Sequence, residues 1–165
     1  MKPIVLFSIQ FTLSLVAYAL IALWYVWPRL VRQPRELALQ PLLWVHAFRM
    51  IGGTVLAPGA VALGVSGAFQ KMVGFGDLIT AAVALLALIA LRTRWAGAIA
   101  LTWLVLVIGM ADTINAIIQS NRDNVFSYAL GVNWVIVTIF VPALLVSSAM
   151  MLLQLIRRPA AVSIA

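Results

Sequence analysis

An all-α fold, a polytopic membrane bundle of five transmembrane helices forming one domain over residues 1–165, is what this sequence predicts. Three observations predict it. The chain is 65% hydrophobic and 9% charged, with a mean hydropathy of +1.13. Its apolar residues fall in long runs of the length needed to cross a hydrocarbon core of about 30 Å, which takes ~20 helical residues. Its basic residues gather at the ends of those runs.

The elements follow in order. The first run, 4–27, is closed by Pro28 and Arg29. Ala17-Tyr18-Ala19 resembles a signal-cleavage site, but the apolar run continues past it to Trp27, so we read a retained first span. The second span, 42–65, starts after Pro41, a residue suited to a first helical turn, and Pro58 is expected to bend or break it. The glycine-rich stretch 64–76 reads as a loop, with Asp77 as the N-cap of a short third span, 77–91. The tight turn Arg92-Thr93-Arg94 leads into the fourth span, 95–118. A polar loop, 119–124, precedes the fifth, 126–156, which Pro142 should kink.

Lysine and arginine set an orientation. One side carries Arg29, Arg32, Arg35, Arg92, Arg94, Arg157 and Arg158, and the other Lys2, Lys71 and Arg122. The positive-inside rule then places the N-terminus outside and the C-terminus in the cytoplasm, as in a bacterial inner (plasma) membrane. The formal net charge of +7 is accounted for by this topology. It does not point to nucleic acid. The absence of cysteine excludes disulfide exchange and thiolate metal sites, and with one histidine no metal or haem site within the chain is expected. No cofactor is implied.

Polar groups inside spans carry the functional expectation, because ionisable side chains are costly there and mark substrate or ion pathways. The candidates are His46, Arg49, Asp77, Asp112, Asn115 and Asn133, as a substrate-binding or proton/ion-relay set. In the second span His46, Arg49, Gly53, Ala57, Ala60 and Gly64 share one helical face and should point into the bundle. In the fourth, Thr102, Gly109, Asp112, Asn115 and Gln119 share a broad sector.

Helical rise argues against a direct Arg49–Asp112 pair. At ~1.5 Å per residue Arg49 lies about 10 Å and Asp112 about 26 Å from the cytoplasmic edge, an offset of roughly 15 Å. The side chain of Arg49 also leans away from Asp112. Two separate clusters are therefore expected: His46 and Arg49 near the cytoplasm, with Glu36 in reach, and Asp112 with Asn115 near the outer face, with Asp77 and Asn133 as neighbours.

Function stays broad at this level. The leading expectation is a protein that binds or transports a small molecule or ion through the polar bundle interior. In that case Arg49→Gln and Asp112→Asn should abolish activity while leaving the fold intact. The alternatives are a non-enzymatic subunit or scaffold of a larger membrane complex, or a homo-oligomer, and an intramembrane enzyme acting on lipid or isoprenoid substrates with Asp112 as acid and His46 as base. The depth difference between those two residues counts against the enzyme. Membrane lipid is the one partner that the composition itself requires.

Overall fold

Two prolines sit inside long apolar helices, and each is preceded by a widened turn. In the computed structural model, which describes residues 2–62 and 64–157, the first helix, α1, runs Pro3–Leu30 through a π turn at Ala22–Val26. The last helix, Val132–Ile156, passes through a π turn at Ile136–Phe140. Proline lacks an N–H and its ring collides with the carbonyl four residues back; a π turn widens the backbone there and lets the helix continue. Pro28 therefore does not close the first helix, as its sequence suggests, and the last helix starts at Val132 instead of near residue 126.

Between them lie α2, an α-helix over Arg35–Ala47 continued by 3-10 turns over Phe48–Leu56, then α3, Gly67–Arg92, and α4, Ala98–Arg122. The last helix is α5. Four helices, α1, α3, α4 and α5, are long and apolar enough to cross a membrane. Pro41 lies within α2 rather than before it. The expected break at Pro58 is real: helical structure ends at Leu56, and Ala57 is extended. The expected second span to residue 65 therefore stops early, and Leu63 and Arg158 lie outside the described residues.

The largest departure concerns Gly64–Gly76. We expected a loop, but helix begins at Gly67, so α3 is far longer than the expected 77–91 and Asp77 lies in its interior. Phe69, Gly74, Thr80, Ala81 and Ala84 are buried along it. Helix packing outweighs the weak helix propensity of the glycines here. The short turn after Arg92 behaves as its sequence indicates: Thr93 N–H donates to the Ile89 carbonyl and Trp95 N–H to the Ala90 carbonyl.

α3 and α4 pack as an antiparallel hairpin against α2, and α5 packs on α2 and α1. Toward the end bearing Arg35, Arg92 and Arg94 the core is dense aliphatic packing, with Ala38, Leu39, Leu43, Ala84, Ala87 and Met151 fully or almost fully buried. At the opposite end a second, smaller cluster forms from Val65, Phe69, Val125 and Leu130. Trp134 Nε1 ties α5 to α1 there by donating to Gln10 Oε1 at 2.7 Å.

Candidate functional site

The change from α to 3-10 winding in α2 decides where Arg49 points. After Ala47 the buried residues are Arg49, Gly52 and Val55, a spacing of three that matches the three residues per turn of a 3-10 helix. The expected stripe through Gly53, Ala57 and Gly64 assumed continuous α winding; Gly53 instead faces Leu78 of α3.

Arg49 is 3% exposed and binds both aspartates. Its Nε donates to Asp77 Oδ1 at 2.7 Å and its Nη2 to Asp112 Oδ2 at 2.6 Å. Its Nη1 donates to the Gly109 carbonyl at 3.1 Å and to Thr113 Oγ1 at 3.2 Å. One guanidinium thus joins α2, α3 and α4 through the planar fork that suits arginine to paired carboxylates. These are the ion pairs among the described residues, and Glu36 is exposed in the first turn of α2.

The expectation of two separate clusters is therefore overturned. Two errors of length produced it. Helix α3 starts ten residues before Asp77, and α4 ends ten residues beyond Asp112. Both aspartates then lie about 15 Å from the same end of an antiparallel hairpin, at the same depth. In addition, α2 begins at Arg35 instead of Leu42, and 3-10 turns rise about 2.0 Å per residue, which brings Arg49 further across. The expected tolerance of Arg49→Gln falls with it, because this side chain holds three elements together.

Glycines make room for the cluster. A Cβ at Gly52 would collide with the Asp77 carboxylate, and one at Gly76 with that of Asp112. A Cβ on Gly109 would meet Thr80 Cγ2 at 3.2 Å and Arg49 Nη1 at 3.4 Å. The sequence reading missed Gly52, Gly76 and Thr113; the recurrence of glycine at Gly52, beside Arg49, and at Gly76, beside Asp77, was the available signal.

The aspartates are 14% and 13% exposed, and they border a cavity of about 290 Å³. Arg49, Asp77, Asp112 and Thr113 form its base, and the walls are largely apolar, with Phe7, Phe69, Phe126, Val137 and Phe140 among them. Asp77 Oδ2 and Asp112 Oδ1 accept no hydrogen bond from the described residues. With both aspartates ionised, two carboxylates face one guanidinium, and the base of the cavity carries one unbalanced negative charge.

The remaining expected residues divide. Asn133 lines the same cavity but is also a brace: its Nδ2 donates to the Ala60 carbonyl and its Oδ1 accepts from Thr54 Oγ1, both at 3.0 Å. Asn115 does not join Asp112. It is exposed and donates to Met72 Sδ at 2.9 Å. His46 is wholly buried beside Arg49, with Nε2 3.5 Å from Ser148 Oγ and Nδ1 without a hydrogen-bond partner among the described residues. It does not line the cavity, so a base at position 46 would have no access to a ligand held there.

No curated protein and no solved structure matches this sequence. Residues 6–156 match the family described as Domain of unknown function (DUF8737), and the chain belongs to that family.

Proposed function

We propose that this protein binds a small, largely apolar molecule in the cavity above Arg49, Asp77 and Asp112, as a one-side-open state of a membrane binding or transport protein. The observation that carries the reading is an apolar cavity of about 290 Å³ whose base holds one more carboxylate than guanidinium. An isolated ion pair inside a bundle would need neither the space nor the surplus charge. Ligand sites are commonly apolar concavities with a few convergent polar groups, and ionisable groups at this depth favour a functional role. The complementary ligand carries an apolar body and one positive charge, which the phenylalanine faces also attract.

The topology that goes with it has five crossings, with the N-terminus outside and the C-terminus in the cytoplasm of a bacterial inner membrane. Two points support this. The helical stretch 35–56 is roughly 38 Å long at ~1.5 Å per α and ~2.0 Å per 3-10 residue, enough for a core of about 30 Å. The arginine-rich end is the densely packed one, so the cavity faces outward.

The cysteine-free chain allows a direct test. Ala116→Cys, in the cavity wall, should react with a cationic methanethiosulfonate added outside intact spheroplasts, and benzyltrimethylammonium should protect it. Asp112→Asn should weaken that protection at least tenfold while keeping a folded, neutral Arg49–Asp77 pair. Reaction only from the inside overturns the orientation. Failure of benzyltrimethylammonium to protect overturns the ligand reading.

A further inference from the structure

Four buried side-chain atoms lack a hydrogen-bond partner among the described residues: Arg35 Nε, His46 Nδ1, and Nε2 and Oε1 of Gln154. Arg35 and Gln154 lie on α2 and α5, which pack together, and His46 turns Nε2 toward Ser148 of α5 and Nδ1 toward Gly109 of α4. Helices α2 and α5 run antiparallel. Ser147 Oγ donates to the Leu42 carbonyl at 3.2 Å, and Ser148 Oγ lies 3.5 Å from His46 Nε2. Seven residues onward from Ser147 is Gln154, and seven residues back from Leu42 is Arg35. Each step is about 10 Å of helix, so Gln154 comes level with Arg35. Arg49, His46, Ser148, Ser147, Gln154 and Arg35 therefore form a polar column from the base of the cavity to the arginine-rich end.

Buried polar atoms in native proteins are paired, and when no protein group serves, ordered water does. An orphaned amide is costliest in the interior of a membrane bundle, where bulk water is absent. His46 and Gln154 are both 0% exposed, so each leaves its unpaired atoms in that setting. His46 thus offers one ring nitrogen to the α2–α5 contact and the other to the Arg49 side, as a relay from internal water to the cavity base requires.

We propose that a water file between α2 and α5 carries protons between the arginine-rich face and the surplus carboxylate of the cavity. The inference rests on the site proposed above as the proton's destination. A proton entering beside Arg35 passes through water at Gln154 to His46. The imidazole accepts it on one ring nitrogen and releases the proton held on the other. The released proton then reaches the Asp112 oxygen not engaged by Arg49, turning a carboxylate into a carboxylic acid, with no redox change. The groups facing His46 are Arg49 on its own segment, Ser148 on α5, and, through Arg49, Asp77 on α3 and Asp112 on α4. A proton on the aspartate and a cation in the cavity would neutralise the same charge, so occupancy by one displaces the other.

The test uses the full chain in liposomes containing a pH-sensitive dye, with a valinomycin-set potassium potential. Wild-type protein should acidify the lumen well above protein-free vesicles. Gln154→Leu, which replaces the orphaned amide by an apolar group of similar bulk, should cut the flux at least tenfold while thermal stability holds or rises. Unchanged flux in that variant, or wild-type flux at the protein-free level, overturns the proposal. Because His46 is the single histidine, water-edited ¹⁵N solid-state NMR of the wild type is a check that needs no variant. Transfer from water to its imidazole is expected, and a dry imidazole overturns the water file. Gln154 does not line the cavity. Protection of Ala116→Cys should therefore survive Gln154→Leu, so loss of flux alone and loss of ligand protection alone identify which reading has failed.

Discussion

The two halves of this bundle are built from similar residues yet are packed in opposite ways. Toward the arginine-rich end, alanines of α3 (Ala84, Ala87) and leucines of α2 (Leu39, Leu43) are buried together in one aliphatic cluster. Toward the other end, phenylalanines and valines stand around about 290 Å³ of open volume. Small residues meet large ones in both halves, with Gly74 against Leu56 and Gly64 against Tyr128 at this second end, but here the large side chains leave a volume between them unfilled. The charged cluster marks the boundary between them. Density thus belongs to the fold in one half, and space belongs to the site in the other.

Substitutions can break or sharpen this contrast. The largest effect is expected at the boundary itself. Arg49→Gln leaves two carboxylates facing each other without a cation and should cost about 3–5 kcal/mol, read as thermal unfolding in detergent. The double variant Arg49→Gln/Asp112→Asn should recover much of that loss; a single variant as stable as wild type would show that the ion cluster does not hold the halves together. In the dense half, Leu43→Ala should cost about 2–5 kcal/mol, because the surrounding helices cannot collapse into the void. Gly76→Ala comes next, at about 1–3 kcal/mol, since its methyl group must push the Asp112 carboxylate aside. The smallest effect is expected for Val137→Ala in the cavity wall, under about 1 kcal/mol, because the deleted atoms already border open space. Equal losses for Leu43→Ala and Val137→Ala would erase the distinction between the halves.

Much of this arrangement was legible in the sequence, and the illegible part has a physical cause. Apolar runs located one end of each of the four helices long and apolar enough to cross a membrane to within a few residues, because hydropathy reports burial in lipid directly. They placed the second run, 42–65, several residues from both ends of the observed 35–56. The identity of the site residues was also legible: Arg49, Asp77 and Asp112 stood out as charges in apolar surroundings. What failed was their depth. The stretch 67–76 contains three of the chain's weak helix formers, Gly67, Gly74 and Gly76, and local propensity gave a loop where packing against α2 and α4 gives helix. Phase failed in α2 for a related reason, since nothing in Phe48–Leu56 announces 3-10 winding. The cavity could not be read at all, because volume left unfilled depends on where five helices settle against one another.

The three-way ion cluster also constrains how the chain is made. Arg49 emerges from the ribosome 28 residues before Asp77 and 63 before Asp112. An arginine at the centre of a lone helix disfavours insertion by about 2.5–3.5 kcal/mol on translocon scales. In the proposed five-crossing topology the segment 35–56 therefore cannot settle on its own. It must wait at the interface or beside the translocon until the α3–α4 hairpin arrives with both counter-charges, which makes biogenesis of this small protein a cooperative, last-in event.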